Sequence, residues 1–282
     1  MQQHYKQDDP RPPHREDADR ESARQRIEED AEKVVEKVWE EVATVRRPWY
    51  QTRKWGSALL LIYVVLLALC GILAWVVYFH PVLAIDVTIT RLFQENQSSW
   101  LRFTMMAVSA IGNVQLLSAG LVALGAVTFG LMDLRLEAIV IVVVSATSDL
   151  LDALIKSLVA RPRPSAGLVD ILATATGNSF PSGHVMSYVA FWGLLFSFGC
   201  ILFKGRHWWR ITLLLLSGLL VVLVGPSRVY LGAHWTSDVL GAYLLSGVCL
   251  GIGLWIYLYL KGKGVLAPRR ARITHLRKYR KW

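Results

Sequence analysis

Apart from basic stretches, the polar and ionisable residues concentrate in three short segments. "LIKSLVARPRP" carries Lys156, Arg161 and Arg163; "PSGH" carries Pro181, Ser182, Gly183 and His184; "SRVYLGAHWTSD" carries Ser227, Arg228, His234 and Asp238. Lys156, Arg163 and Arg228 are three cations without enough neighbouring carboxylates to neutralise them, and an arginine fork matches the oxygens of a phosphate. A multiply charged anion is the expected partner. Gly183 lets backbone approach such an anion closely, and the N–H groups of a helix starting there would face it with the positive end of the helix dipole behind them. Ser182 can cap that helix or give its hydroxyl to the ligand. His234 and Asp238 are spaced i, i+4, which on a helix puts both on one face. The carboxylate could then hold one imidazole nitrogen and leave the other free to attack, with His184 available to protonate a leaving oxygen.

The elements that must position these residues are read from apolar runs long enough to cross a hydrocarbon core of ~30 Å. They fall near Ser57 to Phe79, Ala107 to Leu131, Ala138 to Leu158, His184 to Phe203, Ile211 to Gly225 and Val239 to Leu260, giving six spans. The fifth reaches full length only if it takes in Trp208 to Arg210 or Pro226 to Tyr230. The second is interrupted at Gly112-Asn113, which fits either one tilted helix or two half-helices. Six spans place the end of the third, the start of the fourth, the end of the fifth and the start of the sixth on one side. All three polar segments therefore share a face. Asp149 and Asp152 lie within the third span, where a carboxylate costs ~2.5 to 3.5 kcal/mol near the bilayer centre. Asp152 precedes Lys156 by one helical turn and could pair with it.

The bulk composition agrees with a membrane solvent: 54% of the 282 residues are apolar, eleven of them tryptophan. Residues 1–56 differ, being a charged extension whose opening portion has too little apolar surface to fold alone. Within it, Ile27, Ala31, Val34, Val35, Val38, Trp39, Val42 and Val45 recur at helical spacing and predict an amphipathic helix. Residues 57–260 form the expected membrane domain and 261–282 a basic tail. Because a long polar stretch precedes the first span, that span reads as a retained anchor rather than a cleavable signal. Cys70, Cys200 and Cys249 fall in spans without metal-type spacing, so no disulfide framework is expected. The net charge of +10 sits before span one, between spans four and five, and in the tail. Six spans put those segments together, and the positive-inside rule makes that side the cytoplasm. Contact with anionic lipid accounts for the charge, and no nucleic-acid partner is expected.

The three segments resemble the motif set of the type 2 phosphatidic acid phosphatase superfamily, K-x6-R-P, P-S-G-H and S-R-x5-H-x3-D, in residues, spacing and order. The motif set extends from Lys156 to Asp238, and the span layout carries the similarity from about Ser57 to Leu260. The resemblance implies an all-α membrane bundle of about six helices, with its site at the outer ends of spans three to six. It implies that Lys156, Arg163 and Arg228 bind phosphate, assisted by Ser182 and the Gly183 backbone. It further implies that His234 becomes a phosphohistidine, Asp238 orients it, His184 is the general acid, and no metal or other cofactor is required. Arg161 lies outside the motif positions and receives no role.

The expected activity is hydrolysis of a lipid phosphate or polyprenyl diphosphate at the outer face, with the bilayer as the substrate's reservoir. Phosphatidate-type glycerolipids and the undecaprenyl carrier are both compatible, and the loop from Ser165 to Ser179 is expected to shape headgroup access. Oligomeric state is not readable. An anion-binding transporter or a catalytically silent scaffold acting through the N-terminal helix fits parts of the pattern. The vanadium haloperoxidases share the motif set but are soluble, whereas these motifs are wired into apolar spans.

Overall fold

The computed structural model describes residues 53–113 and 115–266, and the amphipathic segment expected within residues 21–45 lies outside them. The described residues form eight helices: α1 Arg53–Phe79, α2 Ala84–Gln94, α3 Ser99–Asn113, α4 Gln115–Leu131, α5 Arg135–Val159, α6 Gly183–Ile201, α7 Trp208–Tyr230 and α8 Thr236–Gly262. Five of them are long and apolar enough to cross a membrane, and α3 with α4, a pair bent by 66°, counts as a sixth if the two are one broken span. The fold is an all-α integral membrane bundle. Leu60, Leu61, Trp75, Leu131, Leu150, Leu158, Leu215 and Val222 project outward from it. In lipid such residues are already in an apolar solvent, so they need no partner within the protein.

The most enclosed span is α6, which packs against α5, α7 and α8. Val185, Met186, Tyr188 and Val189 from α6 meet Leu220, Val224 and Val229 from α7, and Val239, Ala242 and Leu245 from α8. Cys70 of α1 and Val108 of α3 close the same cluster. Gly193 lets α8 approach, since a Cβ there would stand 2.8 Å from Leu250. Small residues serve this way in bilayers, where close packing must replace the hydrophobic drive between helices.

The fifth span includes both optional extensions, because α7 runs from Trp208 through Pro226 to Tyr230. A proline cannot donate to the ladder and its ring crowds the preceding turn. The Tyr243 hydroxyl enters the helix there, accepting from the Gly225 N–H at 3.1 Å and donating to the Val221 carbonyl at 2.6 Å. That insertion supplies the partners the disturbed rung would lose. The second apolar region resolves as two helices, with the break following Asn113.

One element was not expected. The eleven-residue α2 is too short to span, and it has a polar face on which Asp86, Thr90 and Gln94 are buried. Gln94 donates to the carbonyls of Asp170 and Tyr230 at 2.7 and 2.9 Å and accepts from the Asp170 N–H at 3.0 Å. Arg91 adds a bond to the Leu168 carbonyl at 2.8 Å. The helix thereby braces the loop between α5 and α6 against the end of α7.

Candidate active site

The three polar segments meet at one end of the bundle. The last turn of α5 ends at Ala160, a left-handed cap with φ 48° whose N–H bonds the Lys156 carbonyl. That reversal sends the chain across the bundle end as Arg161-Pro162-Arg163. Arg163 then binds the backbone of its own loop, donating to the carbonyls of Thr176 at 2.8 Å and Gly177 at 2.9 Å. Its Nη1 donates to the Ala233 carbonyl at 2.8 Å and lies 3.0 Å from His234 Nε2.

The i, i+4 spacing of His234 and Asp238 would share a face if both were helical, but His234 is not. It lies instead in the turn ahead of α8, which starts at Thr236. Gly232, at φ 66°, makes that turn where other residues are strained. The two side chains still approach, because Asp238 folds back over the helix start and accepts from the Trp235 N–H at 2.9 Å. His234 Nδ1 is 2.9 Å from the Ser179 carbonyl and 3.6 Å from Asp238 Oδ2. A carbonyl can only accept, so Nδ1 carries the proton. At 3.6 Å the carboxylate acts on the ring as a charge rather than through a hydrogen bond. The tautomer is thus set by the Ser179 backbone, and Nε2 keeps its lone pair directed at Arg163. Burial pushes the imidazole down to about 4, against the pull of Asp238. The ring is neutral near pH 7. Burial also lowers Arg163 from its ordinary value, opposed by the carboxylates of Asp238 and Asp152.

Asp238 is fully enclosed and fully coordinated. The Ser179 hydroxyl donates to Oδ2 at 2.5 Å, while Arg161 Nη1 donates to Oδ1 at 2.6 Å. Arg161 also donates to Ser237 Oγ at 2.6 Å, Asp86 Oδ2 at 2.7 Å and the Pro81 carbonyl at 2.8 Å. Asp86 accepts as well from the Ser237 N–H at 2.8 Å and the Ser237 hydroxyl at 2.5 Å. Sequence reasoning missed Asp86, Arg161, Ser179 and Ser237. An arginine at a span end usually reads as snorkelling to the interface, and nothing in the spacing marks this one as buried.

On the other wall, Lys156 Nζ is 2.5 Å from Asp152 Oδ2, as the one-turn spacing suggests. Both press on Gly183, where a Cβ would stand 2.8 Å from each. Ser182 occupies the N-cap position of α6 but makes no side-chain cap bond. Its Oγ is buried and has no hydrogen-bond partner among the described residues, so of its two expected uses the cap is not made. The Ser182 N–H is taken by the Asp238 carbonyl at 3.2 Å, which ties the start of α6 to the start of α8. His184 packs against Gly112 of α3, where a Cβ would come within 2.7 Å of its ring. Its charged surroundings comprise Arg228, Lys156 and Arg163, with His234 also near. Arg228 is buried and reaches the Ser109 hydroxyl on α3. Asp149 accepts from the Ser187 hydroxyl at 2.9 Å, a bridge between α5 and α6.

The arrangement presents a neutral imidazole nitrogen, three cations, a second histidine and an unbonded serine hydroxyl around one locus. Among the described residues no group of three or more His, Cys, Asp or Glu is placed to hold a metal ion.

Comparison with known proteins points to a family of membrane lipid phosphatases. Residues 137–262 match the family model of the PAP2 superfamily. The phosphatidylglycerophosphatase B of Bacillus subtilis (strain 168) is 28% identical over 193 residues, covering 68% of this chain and 89% of that protein. Its Escherichia coli (strain K12) namesake is 37% identical over 83 residues, 29% of this chain and 30% of that one. Among solved structures, the first transmembrane PAP2 type phosphatidylglycerolphosphate phosphatase from Bacillus subtilis superposes with a TM-score of 0.57 at 26% identity. That similarity covers 69% of this chain and 94% of the other.

Proposed function

We propose that the chain, whose residues 137–262 match the PAP2 superfamily, is an integral membrane phosphatase of that superfamily acting on a lipid phosphate, with phosphatidylglycerol phosphate the first substrate to test. The observation that carries the reading is the neutral His234, its Nδ1–H given to a backbone carbonyl and its Nε2 facing an arginine N–H. In this arrangement the Nε2 lone pair accepts from Arg163. An arriving phosphoryl group takes that N–H onto one of its oxygens, which releases the lone pair and places phosphorus next to it. Lys156, Arg228 and the Ser182 hydroxyl bind the remaining oxygens.

Attack by Nε2 forms an N–P bond as the bond from phosphorus to the lipid oxygen breaks, and His184, protonated once the bound phosphate's negative charge offsets the cations around it, gives that oxygen a proton. Water then attacks the phosphohistidine while His184 takes a proton back, leaving inorganic phosphate and the free ring. Enclosure of the cations makes their attraction to the developing charge stronger than it would be in water. No step requires a metal.

A site at the ends of spans receives a headgroup while the acyl chains stay in the bilayer. Lys204 and Arg206 lie between α6 and α7, and Arg210 in the first turn of α7, at the opposite end from the site. This supports an outer-facing site in the plasma membrane with cytoplasmic termini.

Phosphate release by purified protein in detergent, with chelator present, tests the proposal. The panel is phosphatidylglycerol phosphate, phosphatidate, a polyprenyl diphosphate and soluble glycerol phosphate. Turnover of a lipid substrate well above that of glycerol phosphate is expected. Activity that appears only when Mg²⁺ is added would contradict the metal-free chemistry, and absence of release from every lipid would refute the enzyme reading.

A further inference from the structure

The buried arginine between two carboxylates has a consequence for the reacting histidine. Arg161 is enclosed with both partners, at 2.6 Å from Asp238 and 2.7 Å from Asp86. Asp86 comes from α2, outside every segment that drew attention in the sequence. Ser237 ties the pair together, accepting from Arg161 and donating to Asp86.

We propose that Asp86 and Arg161 are positioning residues for the His234–Asp238 pair: Arg161 fixes the carboxylate, and Asp86 shares the arginine's charge so that Asp238 keeps its pull on the imidazole. The inference rests on the proposed function, in which His234 Nε2 attacks phosphorus.

Charge balance in a dry place decides what the arginine and its two carboxylates do for the ring. Attack through Nε2 with Nδ1 still protonated puts positive charge on the ring. A negative neighbour stabilises that charge, the more so where water is excluded. Asp238 alone would supply it, but a lone buried carboxylate needs donors, and the fork of Arg161 is the strongest of them here. An isolated Arg161–Asp238 pair would be neutral overall and would offer the ring little. With Asp86 included the three groups sum to one negative charge, and the ring is the neighbour on which it can act. The geometry divides the work within Asp238. Oδ1 faces Arg161, and Oδ2 faces Ser179 and the imidazole.

A clamp that only docks α2 onto the bundle would use the same contacts, so the test must read something that docking does not move. Asp86→Asn keeps the shape and removes the charge. Measured per folded protein in single turnover with enzyme in excess, it should slow the chemical step about tenfold, the scale of supporting residues around reactive centres. Apparent substrate affinity should stay within about twofold, since Asp86 touches no phosphate oxygen. In an Asp238→Asn background the same change should alter the rate by less than about twofold, because residues acting through one group are not additive.

A tenfold loss that persists in the Asp238→Asn background would overturn the inference, as would an Asp86→Asn rate per folded protein equal to wild type. If Asp86→Asn does not fold, Ser237→Ala enters the same cycle, with about a threefold loss expected that vanishes with Asp238→Asn. Its persistence would equally overturn the inference. A wild-type protein that hydrolyses no lipid phosphate would refute the proposed function and this inference with it; an active wild type with independent losses refutes the inference alone.

Discussion

A histidine attacks only with a neutral nitrogen, and at His234 that condition is met by burial and by one backbone carbonyl. The Ser179 oxygen fixes the proton on Nδ1. Removal from water then holds the ring neutral down to about pH 4. The sign follows directly: lowering the pH protonates the ring and removes the nucleophile, and this should happen near 4 rather than at the ordinary value of ~6.5. Titration of ring-¹⁵N-labelled protein by NMR, with His234→Gln to assign the signal, should give a midpoint near 4 for the free protein. A midpoint at 6 or above would show that the ring is solvated and the enclosure wrong. The residue types at this centre were legible from spacing alone, because three motifs converge on one chemistry. Their supports were not. Asp86 stands 75 residues before Arg161, and an acidic residue in the first turn of a short helix reads equally well as a partner for the helix dipole. Ser179 acts through its carbonyl as well as its hydroxyl, and a backbone carbonyl leaves no trace in sequence.

At the scale of elements, the site depends on how closely α5 and α6 meet. Gly183 makes that approach, with the Lys156 ammonium and the Asp152 carboxylate against its backbone. The nearest atoms are ends of flexible side chains, so Gly183→Ala should displace them at small cost to stability. The displaced ammonium is a phosphate ligand in the proposed mechanism. The variant should therefore weaken substrate binding about tenfold, or ~1.4 kcal/mol, with a melting temperature close to wild type. Normal affinity would argue that Lys156 does not hold phosphate in its present place. Gly241 plays a parallel role on α8, where the Phe180 ring lies 2.5 Å from the position of an added Cβ. That contact seats the segment leading into Ser182. The spans themselves were readable because long apolar runs have few alternatives. The break between α3 and α4 left two solutions open, and α2 escaped notice because eleven residues with a buried polar face resemble neither a span nor a surface helix. Its polar face is legible only once Asp170 and Tyr230 are seen opposite Gln94.

For the molecule as a whole, the two ends of the bundle are chemically distinct. One end gathers the site, the bracing helix α2 and the α5–α6 loop. At the other, buried Glu137 accepts from Lys261 at 2.7 Å and from the Tyr257 hydroxyl at 2.8 Å, closing α5 onto α8. Glu137 and Lys156 are separated along α5 by about 30 Å, the rise of a helix of that length and the thickness of a hydrocarbon core. An outer-facing site predicts that a cysteine introduced at Ala166 is labelled by an impermeant reagent on intact cells. Labelling only after lysis would reverse the orientation while leaving the chemistry intact. The account rests most heavily on His234 as the nucleophile. Phosphate release from a lipid phosphate, measured on purified wild type beside His234→Ala at equal folded protein, examines it directly. The account predicts a loss of at least about 10³-fold, the scale seen when a nucleophile is removed while the binding groups remain. Equal release by the two proteins would contradict it.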